Sequence, residues 1–225
     1  MPLDLKKLQN VDPLKRLVEK QTEQAEFSPM DPPDVYQPPA LDPVPYEEMP
    51  PVLRQFMDEH RVCLDELKRL EEVIARYKTA GMKPESEKES GFSRFFRFFD
   101  ENIVQHNLKE EKILFPTLQK HLLKNGEHSK GPVPKTAVDM LEDDHSKLLQ
   151  LAAVTFNFLG LAPRLPDAAS RAVTLDAALE QARSLVEALR LHIFREDNVI
   201  FPLAVKYLSP EELKAMNRQL SKFKA

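Results

Sequence analysis

The chain has 225 residues, 42% of them hydrophobic and 30% charged, and a formal net charge of −4. That size supports one hydrophobic core with room for an appendage, and the slight acidity excludes the basic footprint of a nucleic-acid binder. No apolar run approaches the ~20 residues of a membrane helix, and a lone cysteine, Cys63, excludes a disulfide framework.

The N-terminal run MPLDLKKLQNVDPLKRL has neither the apolar stretch nor the small-residue cleavage site of a secretory leader. With the single cysteine this makes a reducing cytoplasm the expected location. Residues 1–50 read as an arm. Asp12-Pro13 is a helix start, with Asp as N-cap and Pro at the first helical position, and a short helix is expected to about Phe27. Residues 29–51 then hold nine of the nineteen prolines, which forbids a helix and favours extended chain. Such an arm suits a strap, a linker, or a docking segment for a protein partner or a second copy.

From Pro51 the apolar period becomes helical. Leu53, Phe56, His60, Cys63, Leu67, Leu70 and Ile74 follow steps of three and four. Gly81 and the polar run GMKPESEKESG end this helix. A second begins near Phe92, with Phe95 or Phe96, Phe99, Ile103, His106, Glu110 and Ile113 on its seam, until Pro116 kinks or ends it. The third carries Val138, Leu141, His145, Leu148, Ala152, Phe156 and Leu159, and stops at Gly160. The fourth carries Ala178, Ala182, Leu185, Leu189, His192, Glu196 and Val199, with Pro202 where Pro116 stood. Ser209-Pro210-Glu211-Glu212 opens a last short helix with a capping box. The expected fold is all-α, an antiparallel up-down-up-down four-helix bundle over residues 51–207, with the Pro-rich arm before it and a C-terminal helix over 208–225.

The seams share a duplication. HNLKEEKILFP, His106 to Pro116, recurs 86 residues later as HIFREDNVIFP, His192 to Pro202. Upstream, Asp58-Glu59-His60 matches Asp143-Asp144-His145 at an offset of 85. In H-x-x-x-E, imidazole and carboxylate stack one turn apart on one helix face. His60 and His106 lie symmetrically about the first turn, and His145 and His192 about the third, so all four histidines fall near one level of the bundle. Glu110 and Glu196 on inner faces would be costly to bury without a cation. The candidate metal ligands are therefore His60, His106, Glu110, His145, His192 and Glu196, a set that suits iron, manganese or zinc. Asp58, Glu59, Asp143 and Asp144 either orient imidazoles or favour a helix dipole. Cys63 reads as a small buried hydrophobe, and His121 and His128 as solvated.

The order H…HxxxE…H…HxxxE resembles the hemerythrin family, the HHE cation-binding domain, over about residues 51–207. The resemblance implies a non-haem centre of two irons, oxo- or hydroxo-bridged. His60 and His106 would hold one iron, His145 and His192 the other, and Glu110 and Glu196 would bridge. The oxygen carriers of the family have a fifth histidine where this chain has Leu149, and an aspartate where it has Asp197, which makes Asp197 the rival of Glu196. The leading role implied is binding of dioxygen or nitric oxide, behind an apolar wall of Leu64, Leu149, Phe99 and Ile103. The alternatives are a di-iron oxidase, peroxidase or nitric-oxide reductase, and iron handling or iron-sulfur-cluster repair. Repair members usually carry a cysteine-containing N-terminal domain, and the arm here has no cysteine.

Overall fold

The computed structural model describes residues 41–79 and 91–223, and helix is the only regular structure among them. The expected helix before Phe27, most of the Pro-rich segment and the turn after Gly81 lie outside the described residues. Helix α1 is Pro51–Thr79, with proline at its start, where a missing N–H costs nothing. Helix α2 spans 91–124 as consecutive segments: Gly91–Phe98, a π turn Phe99–Ile103, Val104–Lys109, a π turn Glu110–Leu114, and Phe115–Lys124. Helix α3 is Ala137–Leu161, and a 3-10 turn Ala162–Arg164 follows it. Helix α4 spans 168–207 as Ala168–Arg195, a π turn Glu196–Ile200, and Phe201–Tyr207. Helix α5 is Pro210–Leu220.

The two prolines do not end their helices. A π turn stands immediately before each Phe-Pro pair, closed by bonds from Phe115 N–H to the Glu110 carbonyl and from Phe201 N–H to the Glu196 carbonyl. A proline ring inside a helix clashes with the carbonyl four residues back and leaves it without a donor. The wider turn displaces that carbonyl, so the helix continues. It also adds a residue to the turn, so the fourth seam ends on buried Ile200 and leaves Val199 only half-buried.

The first two seams are buried as expected, Leu53 to Ile74 on α1 and Phe92 to Ile113 on α2. The third departs from expectation after Ala152. Thr155 is buried, its hydroxyl bonded to the Leu151 carbonyl, and Phe156 is 61% exposed. A step of three replaces a step of four there, because a seam facing neighbouring helices along its whole length follows a mean period of 3.5 rather than 3.6.

Helix α3 packs along α4, α4 against α1, and α1 against the first segment of α2. Two apolar clusters result. One gathers Leu53, Phe56, Phe115, Leu118, Leu141 and Phe201, joined by Met49 from before α1 and by Met216 and Leu220 of α5. The other gathers Leu67, Ile74, Phe92, Phe99, Leu148, Leu179 and Leu185. The described part of the arm, 41–50, lies on the first cluster through Leu41, Val44 and Met49. Capping is as read for α5, where Ser209 and Glu212 satisfy each other's backbone N–H. Thr136 and Asp139 form the same box at α3.

Gly91 opens α2 where a side chain has no space, since a Cβ there would sit 2.2 Å from Val73 Cγ2. Gly91→Ala is therefore expected to lower stability by roughly 1–3 kcal/mol. Adding Val73→Ala should recover part of the loss, as read from chemical denaturation midpoints.

Candidate metal centre

The polar layer lies between the two apolar clusters. His60 sits between Phe56 and Leu67 of α1, His145 between Leu141 and Leu148 of α3, and each H-x-x-x-E pair reaches inward from α2 or α4. All six sequence-predicted ligands are buried and converge. They form two overlapping groups, His60, His106, Glu110 and Glu196, and Glu110, His145, His192 and Glu196, each with its ligand atoms within 4.8 Å of one another. Both glutamates belong to both groups, and both side chains are 0% exposed.

Glu196 spans the layer. Its Oε2 is 2.9 Å from His60 Nε2, and its Oε1 is 3.1 Å from His192 Nε2. Glu110 Oε2 is 3.6 Å from both His106 Nε2 and His145 Nε2. The Nε2 atoms of His60 and His106 are 3.0 Å apart, the separation of two ligands at right angles on an ion with bonds of ~2.1 Å.

The outer nitrogens carry the sharper information. His60 Nδ1 donates to Asp197 at 2.8 Å, His106 Nδ1 to Glu59 at 2.8 Å, and His145 Nδ1 to Glu111 at 2.7 Å. Asp144 lies 3.9 Å from His192 Nδ1. A proton on Nδ1 leaves Nε2 of a neutral imidazole with a bare lone pair. Lone pairs of histidine therefore face lone pairs of glutamate, and no protein donor serves the glutamates: all four carboxylate oxygens of Glu110 and Glu196 are buried without a hydrogen-bond partner. A metal cation satisfies every one of these atoms, so the residues present fit the group that the sequence implied.

The outer acids repeat with the duplication. Glu59 and Asp144 each precede the first histidine of a half and face the second histidine of the same half. Glu111 and Asp197 each follow the inner glutamate and face the first histidine of the other half. Lys109 bonds Glu59 at 2.7 Å and Arg195 bonds Asp144 at 2.6 Å, again at matching positions. Of the four acids raised from sequence as imidazole-orienting, Glu59 and Asp144 face the histidines, whereas Asp58 binds Tyr46 and Arg61 and Asp143 points to Lys135. Asp197 stands on the outer nitrogen of His60 rather than among the inward ligand atoms. Glu111 was missed, although its place after Glu110, matching Asp197 after Glu196, was a readable signal. The Phe of each Phe-Pro pair was missed too. Phe115 stacks on His145 and Phe201 on His60, with centroids 5.7 and 5.6 Å apart.

Other expectations need correction. Leu149 is 50% exposed and is no part of an inner wall, because it falls between the inward positions His145 and Leu148 and the next turn. His121 is not simply solvated, since its Nε2 meets Glu212 at 2.9 Å and ties α2 to α5, while His128 Nδ1 bonds the Ser129 carbonyl. Cys63 is a buried thiol, pushed up to about 12 by burial and the charges of Glu196 and Glu66.

Without a metal the layer holds protons instead. Burial by itself would push the His60 imidazole down, but the carboxylates of Asp197 and Glu196 outweigh it and raise it to about 10. His145 is likewise held at about 10 against burial by Glu110, Glu196 and Glu111. His192 is held at about 9 against burial by Glu196 and Asp144. Burial and the neighbouring Glu196 raise Glu110, whereas Glu196, despite its burial, is held low by His192 and the other histidines.

The family model described as hemerythrin HHE cation binding domain matches residues 51–204. Curated proteins named iron-sulfur cluster repair protein YtfE, from Escherichia coli O1:K1 / APEC and from Escherichia fergusonii, are 29% identical over 154 residues. That stretch covers 68% of this chain and 63% of the length of those relatives. No solved structure matches the chain.

Two outcomes follow for the isolated protein. Raised histidine values stabilise the metal-free fold fully below about pH 6.5, and that stabilisation is lost as pH rises through 9 to 10. The melting temperature of chelator-treated protein should fall between pH 7 and 10, and the fall should shrink in Glu196→Gln. A flat profile in the unaltered chain contradicts the assignment. For metal retention, Glu196→Ala should abolish tight binding of at least one ion, whereas Asp197→Asn should weaken it about 10–100-fold. Metal content after dialysis against graded chelator separates the two, and the reverse ranking would make Asp197 the ligand.

Proposed function

The chain belongs to the hemerythrin HHE cation-binding family, and from that premise we propose that it holds two irons in an antiparallel up-down-up-down bundle and serves in iron-sulfur cluster repair. His60 and His106 would hold one iron and His145 and His192 the other, with Glu110 and Glu196, which belong to both ligand groups, available to each. The observation that carries the centre is the convergence of four imidazoles and two wholly buried glutamates with no protein donor between them. Charge supports two ions rather than one. Six carboxylates surround the layer, Lys109 and Arg195 answer two of them, and the four negative charges left are cancelled by two dications. The order of the helix contacts, α1 with α2, α3 with α4 and α4 with α1, supports the bundle.

When bound, a pair of irons supplies one-electron redox chemistry and open coordination positions. The chain's own residues do the rest. Outer acids bond Nδ1 of His60, His106 and His145 and so turn their Nε2 inward, Asp144 faces His192 at 3.9 Å, Phe115 and Phe201 hold two of the rings by stacking, and the two apolar clusters flank the polar layer. The repair role rests on the names of the relatives, of which the matched stretch covers 63% of the length. No described helix is long and apolar enough to cross a membrane, which is compatible with the cytoplasmic placement we propose.

Binding of dioxygen or nitric oxide is a second reading, favoured by a cavity that touches His60, His106, His192 and Glu196. One experiment separates the two. Iron-loaded protein is added to an enzyme whose iron-sulfur cluster has been damaged by nitric oxide, and recovery of that enzyme is followed beside the optical spectrum of this protein in and out of air. Recovery that is lost in His106→Ala supports repair. No recovery, with a visible band that forms in air and reverses without it, would replace repair by gas binding.

A further inference from the structure

Away from the metal layer, the second apolar cluster ends in an unfilled space. Residues 168–177 of α4 bury no side chain, and the first buried position of that helix is Ala178. The core-facing stripe of α4 nevertheless runs further. Leu179, Ala182, Leu185 and Leu189 lie in the second cluster, and steps of three and four carry the same stripe back through Leu175, Ala172 and Arg171 to Ala168. These four residues face a cavity of about 780 Å³. Its opposite wall is aromatic, with Tyr77 of α1, Phe92 and Phe96 of α2, and Phe156 of α3. The Phe156 ring meets Phe96 edge-on at 5.3 Å and is otherwise 61% exposed. None of the six candidate metal ligands lines this cavity, and Tyr77 stands about 25 Å along α1 from His60.

Charge at the mouth has one sign. Arg171 lines the cavity, and its Nη1 donates to the carbonyls of Leu165 at 2.9 Å and Pro166 at 3.1 Å. Arg164 Nη1 donates at 2.6 Å to the carbonyl of Gly160, another lining residue. Backbone at the end of α3 thus pins both guanidiniums. Among the described residues no carboxylate lines the cavity or pairs with either arginine. The backbone bonds occupy Nη1 alone, which leaves the other donors of each planar fork for an anion. The volume lies within the ~300–1,000 Å³ of sites for small organic ligands, where apolar walls supply affinity and a few polar groups fix orientation.

We propose that this cavity binds an amphipathic anion, an acyl chain ending in a carboxylate, with the chain between α4 and the aromatic wall and the carboxylate on Arg171 and Arg164. Two features select this occupant. The face from Ala168 to Leu175 is a slot about 10 Å long with little relief, which suits an extended chain. The positive mouth without a protein acid supplies the complementary charge. The site shares no residue with the metal layer, so it stands whatever that layer holds.

The test uses the full-length protein, titrated calorimetrically with decanoate below its micelle concentration and with decanol as the uncharged control. One decanoate should bind per chain, and decanol more weakly. Arg171→Gln should raise the decanoate dissociation constant about fivefold, the worth of one exposed charge pair, and leave that of decanol unchanged. Arg171→Lys keeps the charge and should recover part of the loss. Ala172→Trp sets an indole into the cavity from an exposed helix position. It should weaken both ligands by at least about tenfold at unchanged melting temperature and metal content. No decanoate binding, equal affinity for acid and alcohol, or unchanged decanoate affinity in either Arg171→Gln or Ala172→Trp would overturn the proposal. Self-association that Ala172→Trp abolishes, without decanoate binding, would make this face an interface between copies and overturn it equally.

Discussion

Burial of Glu110 and Glu196 is the constraint on which the rest depends. Two carboxylates wholly removed from water and without donors are among the costliest things a protein interior can hold. Three imidazoles, those of His60, His106 and His145, turn their Nδ1 protons outward and so add lone pairs, not relief. Either cations fill the layer or protons do, and the raised histidine values describe the second state. Metal binding is thereby linked to proton release, and the outer acids serve both states. They hold imidazolium as an ion pair, and they aim neutral imidazole at an ion.

The duplication is interlocked rather than stacked. Each H-x-x-x-E helix gives the opposite half the acid and the aromatic ring that hold its first histidine, Glu111 and Phe115 for His145, Asp197 and Phe201 for His60. Each inner glutamate also enters both ligand groups. Neither half therefore contains a complete site, so assembly of the two halves and formation of the centre are one event. The π turns make this geometry available. By widening the helix between glutamate and Phe-Pro, they let the ring turn toward the opposite half while the chain passes a proline without breaking.

Regularity in the ligands with irregularity in access is a useful combination. The candidate ligands repeat across the two halves, whereas the cavity beside them is bordered by one extra π turn in α2 and is lined by His60, His106 and His192 but not by His145.

The helices, the six inward residues and their common level were legible in the sequence, because helical period and duplication are local, repeated signals. The order His, His-x-x-x-Glu, twice over, is specific enough to imply the family. Three things were not legible. Whether Asp197 or Glu196 faces inward depends on about 100° of rotation between neighbours on a helix, and the π turn that begins at Glu196 sets that rotation. The partners of Glu59, Glu111, Asp144 and Asp197 lie on other helices, so their role emerges only when those helices pack. The exposure of Phe156 follows from a step of three in place of four after Ala152 on α3, a choice that neighbouring helices make and the residues of α3 do not. The sequence by itself determined that a buried layer of histidine and glutamate must exist and must be filled. Tertiary structure decided which acid faces which ring, because that is a question of rotation and distance between segments far apart in the chain.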